Sequence, residues 1–532
     1  VKFDVETLKI RNNSIYSHGW LFSSKDRIKR LYYKINKENS NNSFYKINLE
    51  FNLERKDIGN SFPKIHNAKK SGFSIYAGLP KELKVNRIQL ICEFETHELF
   101  SYYIPWDESN NLLLNRKISF LKKIKKILIK LNYLIKKILD REFYSIFKKL
   151  RSIFSMITRK NITILKLKKI LINNKVTFII DHEIGGGANL YRNKLIKKIL
   201  KNEKNIFLLT FNIQNLSYKI RFINKKTNFD IYINQLEDCI KVLKNIEIEK
   251  IIINNIVSFP NPEKIPEFLL NIKKISNAKI KMLIHDYVSI CPSFNLINNE
   301  GIFCKIPSKI ACKKCSEKNE RGIFSFFISR DITLWRSNWS KLIKSSEEII
   351  VFSKSSYEMI NKCYAKINKK IKIEPHEINH MPNKIPKIKE NVDFKIGILG
   401  NINFNKGSKI VKSLIDEIKN KNLNIEIVLF GRIIEDIQND DPIRIIGTYS
   451  HKDLPKLIEK NKVNTFLFPS ICPETFSYVV EEIIYMDLRI ACFDLGAPAD
   501  RISKYKKGRI LSSDNPSLII KDLLKLSRQR FN

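Results

Sequence analysis

From residue 174 onward, short continuous apolar runs recur, each separated from the next by a segment of helical length. This alternation constrains the fold more than any other feature of the chain. "VTFIID", "NIFLLTF", "KIIINNI", "KMLIHD" and "EEIIVFS" form a first set. After a polar, Pro-containing stretch at about 375–392, "FKIGILG", "IEIVLFG", "IRIIG", "TFLFPS", "RIACFDLG" and "GRILSS" form a second. Strands that are apolar throughout need covering on both faces, the condition of parallel strands between helical layers. Two such sets predict an α/β protein with two Rossmann-like domains facing a cleft, over 174–385 and 386–532. Ligands of these sheets bind beyond the carboxyl ends of the strands, so the residues that follow each run are the functional candidates.

The first 105 residues read differently. "TLKIRNNSIYSHGWLF", "RLYYKINK", "FYKINLEFNL" and "RIQLICEFETHELFSYYI" alternate polar and apolar residues between Gly, Asn and Ser clusters, the pattern of a small antiparallel β-sandwich. Residues 106–173 change character again. Ile124, Ile127, Leu131, Ile135 and Ile138 fall at helical spacing with lysines on the other face and almost no acids between. A basic amphipathic helical linker of this kind either docks on a membrane surface or packs its stripe on a neighbouring domain or a sister chain.

The formal charge of +42 invites a nucleic-acid reading. Lys, Asn and Ile are all in excess, however, and their codons are A/T-rich, so genome bias accounts for much of the lysine. No zinc-finger, RRM or helix-turn-helix signature is present, and no nucleic-acid partner is expected. A chain of 532 residues exceeds one core and implies several domains. It has no uncharged apolar run of spanning length and no basic-then-apolar leader. Nine cysteines, odd in number and mostly scattered, fit a reducing cytoplasm. The expectation is a cytoplasmic protein, peripheral on the inner face of the membrane if the basic segment docks there.

Several motifs fall where the strand ends place them. "DHEIGGGANLYR" opens a helix with Gly185, Gly186 and Gly187, whose amides can approach a phosphate at the positive end of the helix; the same glycines can serve a tight turn. His285 and Asp286 end the run "MLIHD". Cys291, Cys304, Cys312 and Cys315 lie within twenty-five residues; a structural zinc site, free thiols and disulfides all remain open for them. Lys406-Gly407 stands at a helix start, where an ammonium can meet a diphosphate. "PETFSYVVEE" places Glu474 in the first turn of a helix and Glu482 eight residues on, about 12 Å along the axis. That is too far for two acids sharing one reacting centre, but suits the two ends of an extended ligand. Capping and solvent exposure are the plainer explanations of Glu474 and Glu482.

"PSICPETFSYVVEE" resembles the E-x7-E segment of retaining GT-B glycosyltransferases of family 4. "DHEIGGGANLYR", "IHDYVSICP", "WRSNWSKLIKSSEEIIVFSKSS" and "FDLGAPADR" resemble the same group in the same order, above all bacterial members that build surface polysaccharides. The N-terminal sandwich resembles accessory domains of such enzymes through Gly19-Trp20 and Ser71 to Phe73. The resemblance implies that Glu474 holds donor-sugar hydroxyls, with Phe476 and Ser477 in the same loop. It implies that Glu482 meets the nucleotide ribose, that Lys406 meets the diphosphate, that Gly186 and Gly187 lie beside the leaving phosphate, and that His285 lies near the reacting sugar. Two departures stand out: Asn401 lies where an Arg is usual, and Thr475 and Ser477 replace two glycines. The implied protein is a glycosyltransferase needing no catalytic cofactor, with a UDP- or GDP-sugar type donor and a glycan or lipid-linked acceptor. The alternative is a catalytically weak GT-B module that binds glycan or lipid and scaffolds an assembly.

Overall fold

The computed structural model describes residues 1–36, 44–104 and 175–529, apart from 80–84, 86, 203, 245, 324–325, 327–329, 366, 368–369, 379–384, 388–393, 436 and 439. The basic segment 106–173 therefore lies outside the described residues.

At the N-terminus, β1 (Lys2–Arg11), β2 (Ser14–Phe22), β3 (Ile28–Asn36), β4 (Phe44–Asn48), β5 (Glu50–Leu53), helix α1 (Lys56–Ser61), β6 (Gly72–Gly78), β7 (Ile88–Phe94) and β8 (Leu99–Ile104) follow in order. They form two antiparallel four-stranded sheets, β1-β2-β6-β5 and β4-β3-β7-β8. Alternation does what it predicts: along β7 every second residue is buried. Leu8, Ile15 and Phe73 of one sheet share a core with Tyr33, Ile88 and Leu90 of the other. Across that core the Ser17 and Tyr33 hydroxyls hydrogen-bond at 2.7 Å, which satisfies two polar groups that burial would otherwise strand.

The next unit comprises β9 (Val176–Ile180), α2 (Gly187–Lys201), β10 (Asn205–Asn212), β11 (Ser217–Ile223), β12 (Asn228–Ile233), α3 (Leu236–Leu243), β13 (Ile248–Ile253), α4 (Ile265–Ser276), β14 (Lys279–Leu283), α5 (Lys309–Lys318), α6 (Ile332–Ser345), β15 (Glu348–Val351), α7 (Lys354–Cys363) and β16 (Ile371–Ile373). Its sheet order is β12-β11-β10-β9-β13-β14-β15-β16. Here the structure corrects a purely parallel expectation, because β11 runs antiparallel to β10 and β12 antiparallel to β11. Lys219 and Arg221 disguise β11 as polar in sequence. In the fold Lys219 is nearly buried and ion-paired with Glu183, while Arg221 pairs with Asp230 of β12 at 2.6 Å.

The last unit comprises β17 (Lys395–Ile402), α8 (Ser408–Asn420), β18 (Glu426–Ile433), β19 (Ile443–Ile445), α9 (Leu454–Asn461), β20 (Thr465–Phe468), α10 (Tyr478–Tyr485), β21 (Arg489–Phe493), α11 (Gly496–Ile502), β22 (Gly508–Leu511) and α12 (Pro516–Arg528). All its strand pairs are parallel, in the order β19-β18-β17-β20-β21-β22. Separate cores on the two faces of the sheet bury Ile396, Ile398 and Leu429 on one side and Leu399, Val428 and Phe430 on the other. The apolar runs are continuous because each strand feeds both cores. Two Rossmann-like units thus face each other across a cleft, the GT-B arrangement, behind an all-β unit. No helix among the described residues is long and apolar enough to cross a membrane.

Candidate active site

The carboxyl ends of β14, β17 and β20 deliver loops to one interdomain cleft of about 190 Å³, lined by His285, Asp286, Asn403, Lys406, Glu474 and Phe476 among others. Thr475 fastens its two walls, its hydroxyl donating to the His285 carbonyl at 2.8 Å.

Lys406 reaches the cleft from a tight turn. Its amide donates to Asn403 Oδ1 at 3.1 Å, and Gly407 follows at φ 81°, where a Cβ would stand 1.9 Å from the Pro469 carbonyl oxygen. Only glycine fits there, and α8 starts at the next residue as expected. Lys406 Nζ donates to Glu474 Oε1 at 2.6 Å. Burial alone would pull the ammonium's pKa down; the Glu474 carboxylate outweighs it and holds Lys406 above its ordinary value. The lysine that the resemblance directs to the diphosphate and the acid that it directs to the sugar are thus in direct contact.

Glu474 is not in a helix. It precedes α10 by four residues, because the Ser477 hydroxyl accepts the Val480 amide and sets the helix start at Tyr478. The Glu474 carbonyl accepts the Ala497 amide at 2.8 Å, so "GAPADR" at the start of α11 pins its backbone. The axial distance computed along a continuous helix therefore does not apply. Glu482, on α10, is 1% exposed rather than on a solvent face, and its Oε1 lies 3.0 Å from His451 Nδ1. That bond raises the His451 pKa. The neighbouring Glu481 pairs with Arg501 at 2.7 Å.

Opposite, His285 stacks on Phe352 with ring centroids 4.6 Å apart. The Asn254 amide donates to the Ala188 carbonyl, which leaves Asn254 Oδ1 to accept from His285 Nε2 at 3.1 Å. This fixes the tautomer with Nδ1 as the ring's acceptor. Burial, with His376 and His182 nearby, pushes the His285 pKa well below its ordinary value, so the ring is neutral. Asp286 accepts from Asn255 Nδ2 at 2.7 Å and from the Val288 amide at 2.8 Å; burial raises its pKa to about 6.

The glycine loop opens α2 as expected, with Gly186 as the residue before the helix at φ 85°. Asn189 braces it, accepting from the Gly185 amide and donating to Asp181, while Arg192 pairs with the fully buried Asp181 at 2.9 Å. Gly186 and Gly187 are not among the cleft's lining residues around Lys406. Gly187 faces the other domain at Tyr478, whose ring a Gly187 Cβ would meet at 3.0 Å, while a Cβ on Gly186 would meet nothing within 4 Å.

Tyr478 belongs to an arrangement that sequence reading missed. His376, in the connection between the two sheets, stacks on Phe476 at 4.4 Å, meets Phe352 edge-on at 4.1 Å, and shares a 2.8 Å hydrogen bond with the Tyr478 hydroxyl. Burial lowers its pKa to about 3. This neutral ring holds Phe476, in the loop of Glu474, against the first domain. No motif marks it; only its place between the domains does.

The four clustered cysteines do not meet as a ligand set. All are free thiols, and among the described residues no group of three or more His, Cys, Asp or Glu side chains could hold a metal. Arg336 donates to Cys312 Sγ at 3.4 Å and Asn319 to Cys315 Sγ at 3.5 Å. Burial raises the pKa of the Cys291 and Cys304 thiols.

Residues 381–530 match the family model described as glycosyl transferases group 1. The match falls on the second Rossmann-like unit of the GT-B frame. No curated protein matches its sequence significantly. Among solved structures it is similar to Anabaena Alr3699/HepE in complex with UDP, at 13% identity and TM-score 0.41, over 66% of this chain and 91% of that one. It is also similar to sucrose-phosphate synthase from Thermosynechococcus elongatus, at 11% identity and TM-score 0.42, over 67% and 92%. Likenesses this distant do not bear on substrate.

Proposed function

We propose that the chain is a retaining glycosyltransferase of family 4 that moves a sugar from a UDP- or GDP-sugar to a glycan or lipid-linked acceptor in cell-surface polysaccharide synthesis. The observation that carries the reading is the Lys406–Glu474 pair in the interdomain cleft, with neutral His285 on the facing wall. In this reading the donor diphosphate takes over the Lys406 ammonium, and Glu474 turns to the sugar hydroxyls. As the bond between sugar and diphosphate breaks, Lys406 and the amides at the start of α8 oppose the charge growing on the leaving oxygen. His285 Nδ1 accepts a sugar hydroxyl and holds the ring in place. The acceptor oxygen attacks the same face, and its proton goes to the departing phosphate, so no protein nucleophile is needed. The work of the enzyme is then positioning and charge stabilisation. Glu482 takes the ribose in this scheme.

A thermal-shift and hydrolysis screen across UDP- and GDP-sugars tests the reading. A bound donor at 100 times its Kd stabilises the fold by about 2.7 kcal/mol, and at least one donor should be hydrolysed. Asn401 in place of Arg, and Thr475 and Ser477 in place of glycines, favour the second reading, a GT-B scaffold that binds glycan or lipid; such a module turns over no donor. We further propose that the basic stretch 112–160 brings the enzyme to the inner face of the membrane. Co-sedimentation with anionic vesicles should weaken with salt and with Lys→Gln changes at Lys122, Lys123, Lys125 and Lys126; equal binding to neutral vesicles overturns this.

A further inference from the structure

A second cavity, of about 280 Å³, lies between the N-terminal sandwich and the first Rossmann-like unit, lined by Asn13, Tyr218, Gln235, Glu237, Asn261 and Lys264 among others. Its position follows from strand direction. β9, β10, β13 and β14 are parallel, β11 reverses, and β12 reverses again. The turn after β10 and the segments after β12 and β13 therefore emerge at the sheet edge that also carries the glycine loop and His285. The cavity opens on the catalytic side of this unit, displaced along the sheet toward β12.

The sandwich is built into it. Lys9 Nζ donates to the Gln214 carbonyl at 2.8 Å, Asn12 Nδ2 to the Leu216 carbonyl at 2.8 Å, and the Tyr76 hydroxyl to the Ser258 carbonyl at 2.8 Å. Tyr76 also stacks on Phe211 at 6.0 Å. These contacts hold the β1–β2 turn, with Asn12 and Asn13 at φ 52° and 53°, as one wall of the cavity.

The lining chemistry selects a ligand class. The side-chain amides of Asn13 and Gln235 make no hydrogen bond among the described residues, and Gln235 does not cap α3. Lys264 and Glu237 stand 3.7 Å apart, beyond hydrogen-bond length, so each keeps bonding capacity. One ammonium, one carboxylate and several amides sum to no net charge and offer donors and acceptors in mixture. That suits neither a phosphate nor an acyl chain; it suits vicinal hydroxyls. The volume falls just below the ~300–1,000 Å³ of pockets that enclose drug-sized ligands, room for part of a chain molecule.

We infer that this cavity is a subsite for a distal part of a hydroxyl-rich glycan, formed jointly by the sandwich and the first Rossmann-like unit. Its role as an acceptor subsite rests on the glycosyltransferase reading above; its glycan binding does not. The sandwich then acts as a reader of the growing chain, holding it while its end lies in the cleft.

The test is glycan-array binding of the full chain without donor, then titration of the best oligosaccharide by calorimetry. Gln235→Ala with Lys264→Ala should weaken that affinity about tenfold or more, the loss of one or two net hydrogen bonds. Asn13→Gly, which keeps the left-handed backbone, should weaken it as well. All should leave the melting temperature and donor hydrolysis unchanged. An array without a binder overturns the inference, as does a binder indifferent to these variants. Variant-sensitive binding by a protein that hydrolyses no donor sustains the glycan site while the transferase reading falls.

Discussion

Replacing Glu474 by Gln separates its structural contribution from its chemical one. In the resting cleft Glu474 is 11% exposed and Lys406 41% exposed, at 2.6 Å. A buried charge-assisted hydrogen bond contributes about 1.5–3 kcal/mol, and an exposed pair about 0–1 kcal/mol. With one partner well solvated, the loss to folding should be about 1 kcal/mol, partly recovered because the Gln oxygen still accepts from Lys406. If Glu474 turns to the sugar when donor binds, its charged bond strengthens as the ring becomes cationic. Removing that charge should lower kcat on the order of 10², equal to about 2.7 kcal/mol. Steady-state kinetics on the donor found by screening, with thermal unfolding of both proteins, gives both numbers. Glu481→Ala is the control: it breaks the half-exposed pair with Arg501 and should leave kcat near wild type. A kcat loss for Glu474→Gln below about tenfold, or one matched by Glu481→Ala, refutes the assignment.

Glu482→Ala should mainly raise donor KM, by roughly 1.5–3 kcal/mol for a charged hydrogen bond, because ribose contacts change little at the transition state; a fall in kcat at constant KM contradicts this. Since Glu482 raises the His451 pKa, the pair's stability is fully present below the unfolded histidine value of about 6.5 and is lost as pH rises through the elevated folded value. Melting temperatures of wild type and His451→Asn should therefore differ most at pH 6 and converge at high pH, and a pH-independent difference refutes it. Gly407→Ala should destabilise by more than about 3 kcal/mol, or prevent folding, since its Cβ would overlap the Pro469 carbonyl at a left-handed φ; a melting temperature near wild type shows that the turn is not rigid.

Local rules were enough for much of the architecture. Continuous apolar strands need two covered faces, so "FKIGILG" and "IEIVLFG" could only be interior strands, and the alternation along Ile88–Phe94 could only be a half-buried one. The same rules located Lys406 and His285 at strand ends. They misread β11, because Lys219 and Arg221 look like surface until Glu183 and Asp230 stand beside them. Helical spacing carried Glu474 into a helix that Ser477 starts later, and it left open whether Glu482 met ligand or solvent. The tertiary structure alone decided that Lys406 meets Glu474 and that His376 wedges Phe476 against Phe352. It alone closed a polar cavity between the sandwich turn and the ends of β12 and β13. Those contacts join residues from different sheets, and periodicity records which face of an element is covered but not what covers it.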